Sequence, residues 1–166
     1  MVKYVKGNLL DSGCDYICHQ VNCQGVMNSG IAKQIRERWP EVYAFYRDRW
    51  EKTYHAGQAG GLYATDIMLG SIDIVALHDN TGRQVINMYS QARYGYDGSR
   101  FTSYDAFAKA LEKIRMSTSY NDTIGFPKNI GCGLGGGNWK VISALIEEIL
   151  GDYRDVYIYE YDPKED

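Results

Sequence analysis

A chain of 166 residues with 45% hydrophobic and 23% charged residues has the size and make-up of one globular domain able to bury a core without disulfides or metals. Its formal net charge of −3 argues against a nucleic-acid binder that tracks phosphates with a basic stripe, so any attraction for an anion has to be local. No run approaches the roughly 18 apolar residues of a membrane span. The four cysteines (Cys14, Cys18, Cys23 and Cys132) form no C-x-x-C pair, and Cys14, Cys18 and His19 match no common zinc spacing. With no signal peptide ahead of the first strand, a reduced cytoplasmic setting is expected. The 15 Tyr against 4 Phe favour rings with a polar tip, suited to a half-wet cleft that holds a nucleoside.

In chain order, Val2 to Val5 reads as a strand ending in a turn at Lys6, Gly7 and Asn8. Tyr16 to His19 is a second strand, and it empties into a polar, glycine-bearing loop that runs to Gly30. Ile31, Ile35 and Trp39 then recur at helical spacing, Pro40 interrupts, and Val42, Phe45, Tyr46 and Trp50 resume the pattern. Gly57 to Gly61 reads as a turn. Leu62 to Leu69, Asp73 to His78 and Gln84 to Tyr89 read as three strands, the last two joined by a hairpin at Asp79, Asn80, Thr81 and Gly82. Ser90 to Thr102 is a polar surface loop, and Ser103 caps a helix whose core stripe is Phe107, Ala110, Leu111 and Ile114. Thr123 to Pro127 is a buried strand, and Asp155 to Tyr161 closes the chain as another. There is no internal repeat.

Between those last two strands lies the stretch most informative about function, GFPKNIGCGLGGGNW, with five glycines in the seven residues from Gly131 to Gly137. Glycine admits positive φ and lets a ligand approach the main chain without meeting a Cβ, so successive N–H groups can converge on phosphate oxygens. Asn138 is an N-cap candidate for a helix carrying Val141, Ile142, Leu145, Ile146 and Ile149, which sets a positive helix end behind those amides. A plain strand-to-helix connection is the competing reading. Gly131, Gly133 and Gly136 satisfy G-x-G-x-x-G, but too late in the chain for a dinucleotide fold, and Gly137 is followed by Asn138 and Trp139 rather than the Lys and Ser or Thr of a P-loop.

Interleaved strands and helices with one hairpin predict an α/β protein, a three-layer α/β/α sandwich around a mixed sheet. In such sheets ligands bind beyond the carboxyl ends of the strands, which makes the loops after His19 and after Pro127 the two walls of one expected cleft.

The segments VKGNLL, CHQVNCQGVMNSGIA and FPKNIGCGLGGGNW and the closing strand, in that order, resemble the macro domain, an ADP-ribose-binding α/β/α module, and the resemblance covers nearly the whole chain, 1–166. Within that family the chain is most similar to the branch holding ADP-ribose 1''-phosphate phosphatases and the terminal ADP-ribose protein glycohydrolase. The resemblance implies that Asn8, where many members carry Asp, meets the adenine together with the Leu9 backbone and a ring such as Tyr159. It further implies that Gly131, Cys132, Gly133, Leu134 and Gly135 hold the diphosphate, that Ser29, Gly30 and Ile31 form the facing loop near the distal ribose, and that Gln20, Asn28 and Ile130 are also ligand-binding. The glycohydrolase relatives use a lysine and an aspartate for which this chain has Ser90 or Gln91 and Gly135, so a Schiff-base route is not expected.

His19 matches the phosphatase histidine. With Asn22 it forms the expected catalytic pair, His19 moving a proton to or from a departing phosphate while Asn22 and Asn28 fix the ribose and a water. The alternative is that His19 ends a buried strand and only satisfies a structural partner; Cys132 as a nucleophile is the weaker choice. The implied activity is metal-independent hydrolysis of ADP-ribose 1''-phosphate to ADP-ribose and phosphate, without a cofactor. A non-catalytic ADP-ribose reader, or a hydrolase of ADP-ribosylated protein or O-acetyl-ADP-ribose, are the alternatives. Expected partners are ADP-ribose or a derivative and ADP-ribosylated protein, with no membrane and no nucleic acid, and the chain is expected to be a monomer.

Overall fold

The computed structural model describes residues 2–152 and 154–162. Six strands form one sheet: β1 (Val2–Lys6), β2 (Tyr16–Asn22), β3 (Ile72–Ala76), β4 (Gln84–Gln91), β5 (Thr123–Pro127) and β6 (Asp155–Glu160), in the order β1-β6-β5-β2-β4-β3. All neighbours are parallel except β3, which runs antiparallel to β4 at the edge. Asn80 (φ 60°) and Gly82 (φ 78°) take the left-handed conformations that turn the β3–β4 hairpin.

Helices cover both faces, as the patterning predicts. One face packs against α1 (Gly30–Arg38), α2 (Pro40–Gly60) and α3 (Ala64–Met68) through residues such as Ile17, Val21, Val85 and Tyr89. The other packs against α4 (Tyr104–Ser117) and α5 (Trp139–Ile146) through Cys18, Ile86, Met88 and Phe126. The stripe on α4 is fully buried, and both expected caps form: Ser103 Oγ accepts from Ala106 N at 3.1 Å, and Asn138 Oδ1 accepts from Lys140 N at 2.9 Å. Among the described residues no helix is long and apolar enough to cross a membrane.

Two expectations are corrected. Leu62 to Leu69 is not a strand: Ala64 and Met68 are buried while Leu62 and Ile67 are exposed, a spacing of four that suits α3. The turn expected at Gly57 to Gly61 is the end of α2, which runs on to Gly60 and stops where Gly61 adopts φ 74°. Gly57 lies inside this helix, and the position is a glycine because a Cβ there would come within 2.8 Å of the Leu62 carbonyl oxygen.

Since β2, β4 and β5 are parallel neighbours, their carboxyl ends (Asn22, Gln91 and Pro127) meet at one edge of the sheet. The loops leaving those ends are gathered by topology alone.

Candidate functional site

A cleft of about 300 Å³ opens at that edge. One wall is the loop after β2 and the first turn of α1; the other is the loop after β5 from Lys128 to Gly135, and Tyr94 to Tyr96 stand at the side. The two walls expected from the sequence therefore do enclose one space.

The glycine wall is arranged with carbonyls inward and amides outward. Gly131 O accepts from Thr102 Oγ1 (2.7 Å) and Gly137 N (2.8 Å), Gly133 O accepts from Gly136 N (3.0 Å), and Gly135 O accepts from Phe101 N and Thr102 N (2.8 and 3.0 Å). Among the described residues the N–H groups of Gly133, Leu134 and Gly135 have no partner, and all three residues line the cleft. The glycines are there for reasons of space. A Cβ at Gly135 would sit 2.7 Å from Gly131 O and 2.6 Å from Thr102 Oγ1, whereas one at Gly133 would meet nothing within 4 Å. Gly133 is thus the place where the open cleft touches bare backbone.

Across the cleft, Gly30, Ile31 and Ala32 begin α1 and have no intrahelical acceptor for their N–H groups. The Ser29 side chain makes no capping bond, so its hydroxyl is free for a ligand. Asn28 Oδ1 is held by Arg36 Nη1 at 2.8 Å, and the Arg36 guanidinium lies 3.9 Å from the centre of the Tyr43 ring. Two groups of unpaired amides thus share one cleft, a setting that favours an anion with several acceptor oxygens.

The floor is a chain of side-chain bonds. Gln20 accepts from Ser90 Oγ at 2.7 Å and donates to Gln91 Oε1 and Thr102 Oγ1 at 2.8 and 2.9 Å. Its carboxamide is fully engaged, so Gln20 lines the cleft as a brace for the glycine wall.

His19 is the main correction. It lies on the opposite face of β2 from Gln20, is fully buried, and does not line the cleft. Its Nε2 sits 2.5 Å from Asn87 Oδ1; Asn87 Nδ2 and the Tyr89 hydroxyl in turn donate to Asp73, which pairs with Arg49. Since Asn87 uses its amide nitrogen on Asp73, its oxygen faces the ring, which assigns the proton to Nε2 and leaves Nδ1 bare. Burial pushes the His19 pKa down to about 4, offset in part by the Asn87 bond. A neutral imidazole walled off from the cleft has no path for handing a proton to a ligand there.

Asn22, the other half of the expected catalytic pair, does line the cleft, but both ends of its carboxamide are already engaged, by its own loop and by α2. Nδ2 donates to Val26 O (2.8 Å), and Oδ1 accepts from Gln24 N (3.0 Å) and the Tyr46 hydroxyl (2.7 Å).

Of the expected ligand-binding set, Gln20, Asn28, Ser29, Gly30, Ile31, Ile130, Gly131, Gly133, Leu134 and Gly135 come together in the cleft. Asn8, Leu9, Cys132 and Tyr159 do not line it. Asn8 caps a short 3-10 turn, Leu9–Asp11, by accepting from Leu10 N at 3.0 Å, and Leu9 is buried in the core. The Cys132 amide is already bonded to Asn129 O at 2.8 Å, and burial raises its thiol pKa, so it is no activated nucleophile. Tyr159 packs beside Gly7, next to the cleft's far end, where Lys128 N donates to Tyr159 O at 2.8 Å and Lys128 Nζ pairs with Glu160 at 3.2 Å. Lining residues outside the expected set include Gln91 at the end of β4, Tyr94, Gly95 and Tyr96 in the loop after it, whose signal was its two tyrosines, and Lys128 and Asn129 ahead of the glycines. Among the described residues that line the cleft, the acid–base side chains are those of Lys128, Tyr94 and Tyr96, with no carboxylate or imidazole beside them.

No family model matches the chain. It is 25% identical over 163 residues to a DNA ADP-ribosyl glycohydrolase of Mycobacterium tuberculosis, covering 98% of this chain and 42% of that protein. It is 24% identical over 177 residues to an ADP-ribose 1''-phosphate phosphatase of Saccharomyces cerevisiae, covering 91% of this chain and 94% of the relative. The chain thus spans about two fifths of the length of the glycohydrolase relative. Among solved structures, the macrodomain of Mycobacterium tuberculosis DarG superposes with a TM-score of 0.74 at 21% identity, covering 98% of both chains. Thermosipho africanus DarTG in complex with ADP-ribose gives 0.74 at 20% identity over 99% of this chain and 42% of that one. The chain has the macro domain fold.

Proposed function

We propose that this chain binds ADP-ribose in the cleft and hydrolyses a derivative of it at the distal ribose. The observation that carries the reading is the pair of amide clusters, Gly133 to Gly135 and Gly30 to Ala32, left without partners in one cleft. A diphosphate offers the negative charge and the acceptor oxygens those donors lack, and it needs no cationic side chain to be held. Tied to β6 through Lys128, the far end of the cleft would take the adenosine; the end at Asn28 to Ile31, flanked by Tyr94 and Tyr96, would take the distal ribose.

The relatives named above act on ADP-ribose derivatives, one carrying a 1''-phosphate and the other DNA-linked, and this chain is read in the same class. ADP-ribose 1''-phosphate remains the substrate to try first. In its hydrolysis water attacks phosphorus, the bond to the ribose oxygen breaks, and that oxygen takes up a proton. With neither imidazole nor carboxylate lining the cleft, the chain's own contribution is to orient the ester and to stabilise its developing charge with N–H donors. The same lack favours a second reading, a module that binds ADP-ribose and does no chemistry.

Incubation with ADP-ribose 1''-phosphate, O-acetyl-ADP-ribose, ADP-ribosylated protein and ADP-ribosylated DNA, followed by product analysis, separates these. Turnover of one substrate names the activity. Binding of ADP-ribose with turnover of none leaves the reader, and no binding at millimolar nucleotide ends both.

A further inference from the structure

We infer that α2 holds the first wall of the cleft in its binding shape, and that Tyr46 is the positioning residue through which it does so. Tyr46 is fully buried and does not line the cleft, yet its hydroxyl meets two residues that do. It shares its proton between the Asn22 carbonyl oxygen (2.8 Å) and Asn22 Oδ1 (2.7 Å), and it accepts the Val26 N–H at 3.1 Å. The neighbouring side chains grip the same turn. Trp50, one turn further along α2, donates its indole N–H to Cys23 O at 2.8 Å, and Arg47 Nη1 donates to Gly25 O at 3.1 Å. The turn lies so close to the helix that a Cβ at Gly25, where φ is 75°, would come within 2.7 Å of Arg47 Nη1 and 2.8 Å of the Trp50 ring.

The main-chain groups that Tyr46, Arg47 and Trp50 hold all belong to residues 22–26, the segment that leads from β2 to the unpaired amides of α1. A loop fixed before the ligand arrives loses less conformational entropy on binding. The inference rests on the reading of the cleft as an ADP-ribose site. Tyr89 provides the control within the same molecule. Its ring stacks on Tyr46 at 5.8 Å and it is equally buried, but its hydroxyl bonds Asp73, away from the cleft.

Tyr46→Phe and Tyr89→Phe each remove one buried hydroxyl and keep the ring. The tests are calorimetry with ADP-ribose and residue-resolved amide exchange of the ligand-free protein. Tyr46→Phe is expected to weaken ADP-ribose binding about tenfold, the scale of one or two lost hydrogen bonds, and to speed exchange at Gln24 and Val26. Tyr89→Phe is expected to lower the melting temperature comparably while leaving both readouts unchanged. Should Tyr46→Phe not fold, Trp50→Phe, which removes the donation to Cys23 O, is expected to speed exchange at the same amides. Unchanged affinity and exchange in Tyr46→Phe, or equal losses in Tyr89→Phe, overturn the inference. If the wild-type protein binds no ADP-ribose the functional reading fails, and exchange at Val26 still decides whether Tyr46 holds the loop.

Discussion

At residues 131–135 the cleft wall is nearly all main chain, shaped by glycines and braced from below by Thr102 and Gln20, whereas at residues 22–32 it carries amide and hydroxyl side chains and is braced from behind by α2. The difference is one of what a mutation can reach. In the glycine wall the functional groups are N–H donors that no side-chain substitution removes, so that wall is broken only by adding atoms. In the other wall the shape depends on side chains, and it is weakened by taking atoms away.

The largest effect expected follows from adding bulk at the open position. Gly133→Glu puts a side chain and a negative charge where a Cβ meets nothing, so the protein folds as before and ADP-ribose affinity falls at least a hundredfold, read by calorimetry with a melting curve as control. A fully folded variant that still binds would remove the glycine wall from the account.

Next in size is a pH effect behind the other wall. His19 has a folded-state pKa near 4 against an ordinary 6.5, so the unfolded chain takes up its proton first as the pH falls. Its contribution to stability is complete above pH 6.5, is lost progressively down to about pH 4, and amounts to about 3 kcal/mol. Denaturant melts across that range should show the loss in the wild type and a flatter profile in His19→Gln. At pH 7.5 the same variant is expected to keep its ADP-ribose affinity and any turnover, since the imidazole faces Asn87 and not the cleft.

Gly135→Ala should cost about 2 kcal/mol of stability as well as affinity, because the new methyl group is forced against the Gly131 carbonyl rather than into the cleft. Its contrast with Gly133→Glu, which is expected to affect binding alone, separates the two jobs the glycines do. The smallest effect is expected from Thr102→Val. It removes the Oγ1 bond to Gly131 O while Gly137 N still holds that carbonyl, for about 1 kcal/mol in the melt and a few-fold loss in affinity.

The same contrast explains what was legible in the sequence. The glycine wall is local: five glycines in seven residues, followed by an N-cap Asn, state the turn and the helix start within one short window. The stripe on α4 and the β3–β4 hairpin are legible for the same reason, since periodicity and turn chemistry act over a few residues. The role of Tyr46 was hidden because it reads as one more apolar position on a helix; only the packing of α2 against a loop more than 20 residues earlier gives its hydroxyl partners. The burial of His19 depends likewise on Asn87 and Asp73, brought beside it by strand pairing. In Leu62 to Leu69 a short apolar run fits strand or helix equally well, and the tertiary contacts of Ala64 and Met68 decide for the helix.

A crystal structure of the protein with ADP-ribose tests the central claim most directly. The account predicts diphosphate oxygens about 3 Å from the N–H groups of Gly133, Leu134 and Gly135, with the distal ribose towards Asn28 to Ile31. A cleft left empty at saturating nucleotide, or a diphosphate bound away from those amides, would contradict it.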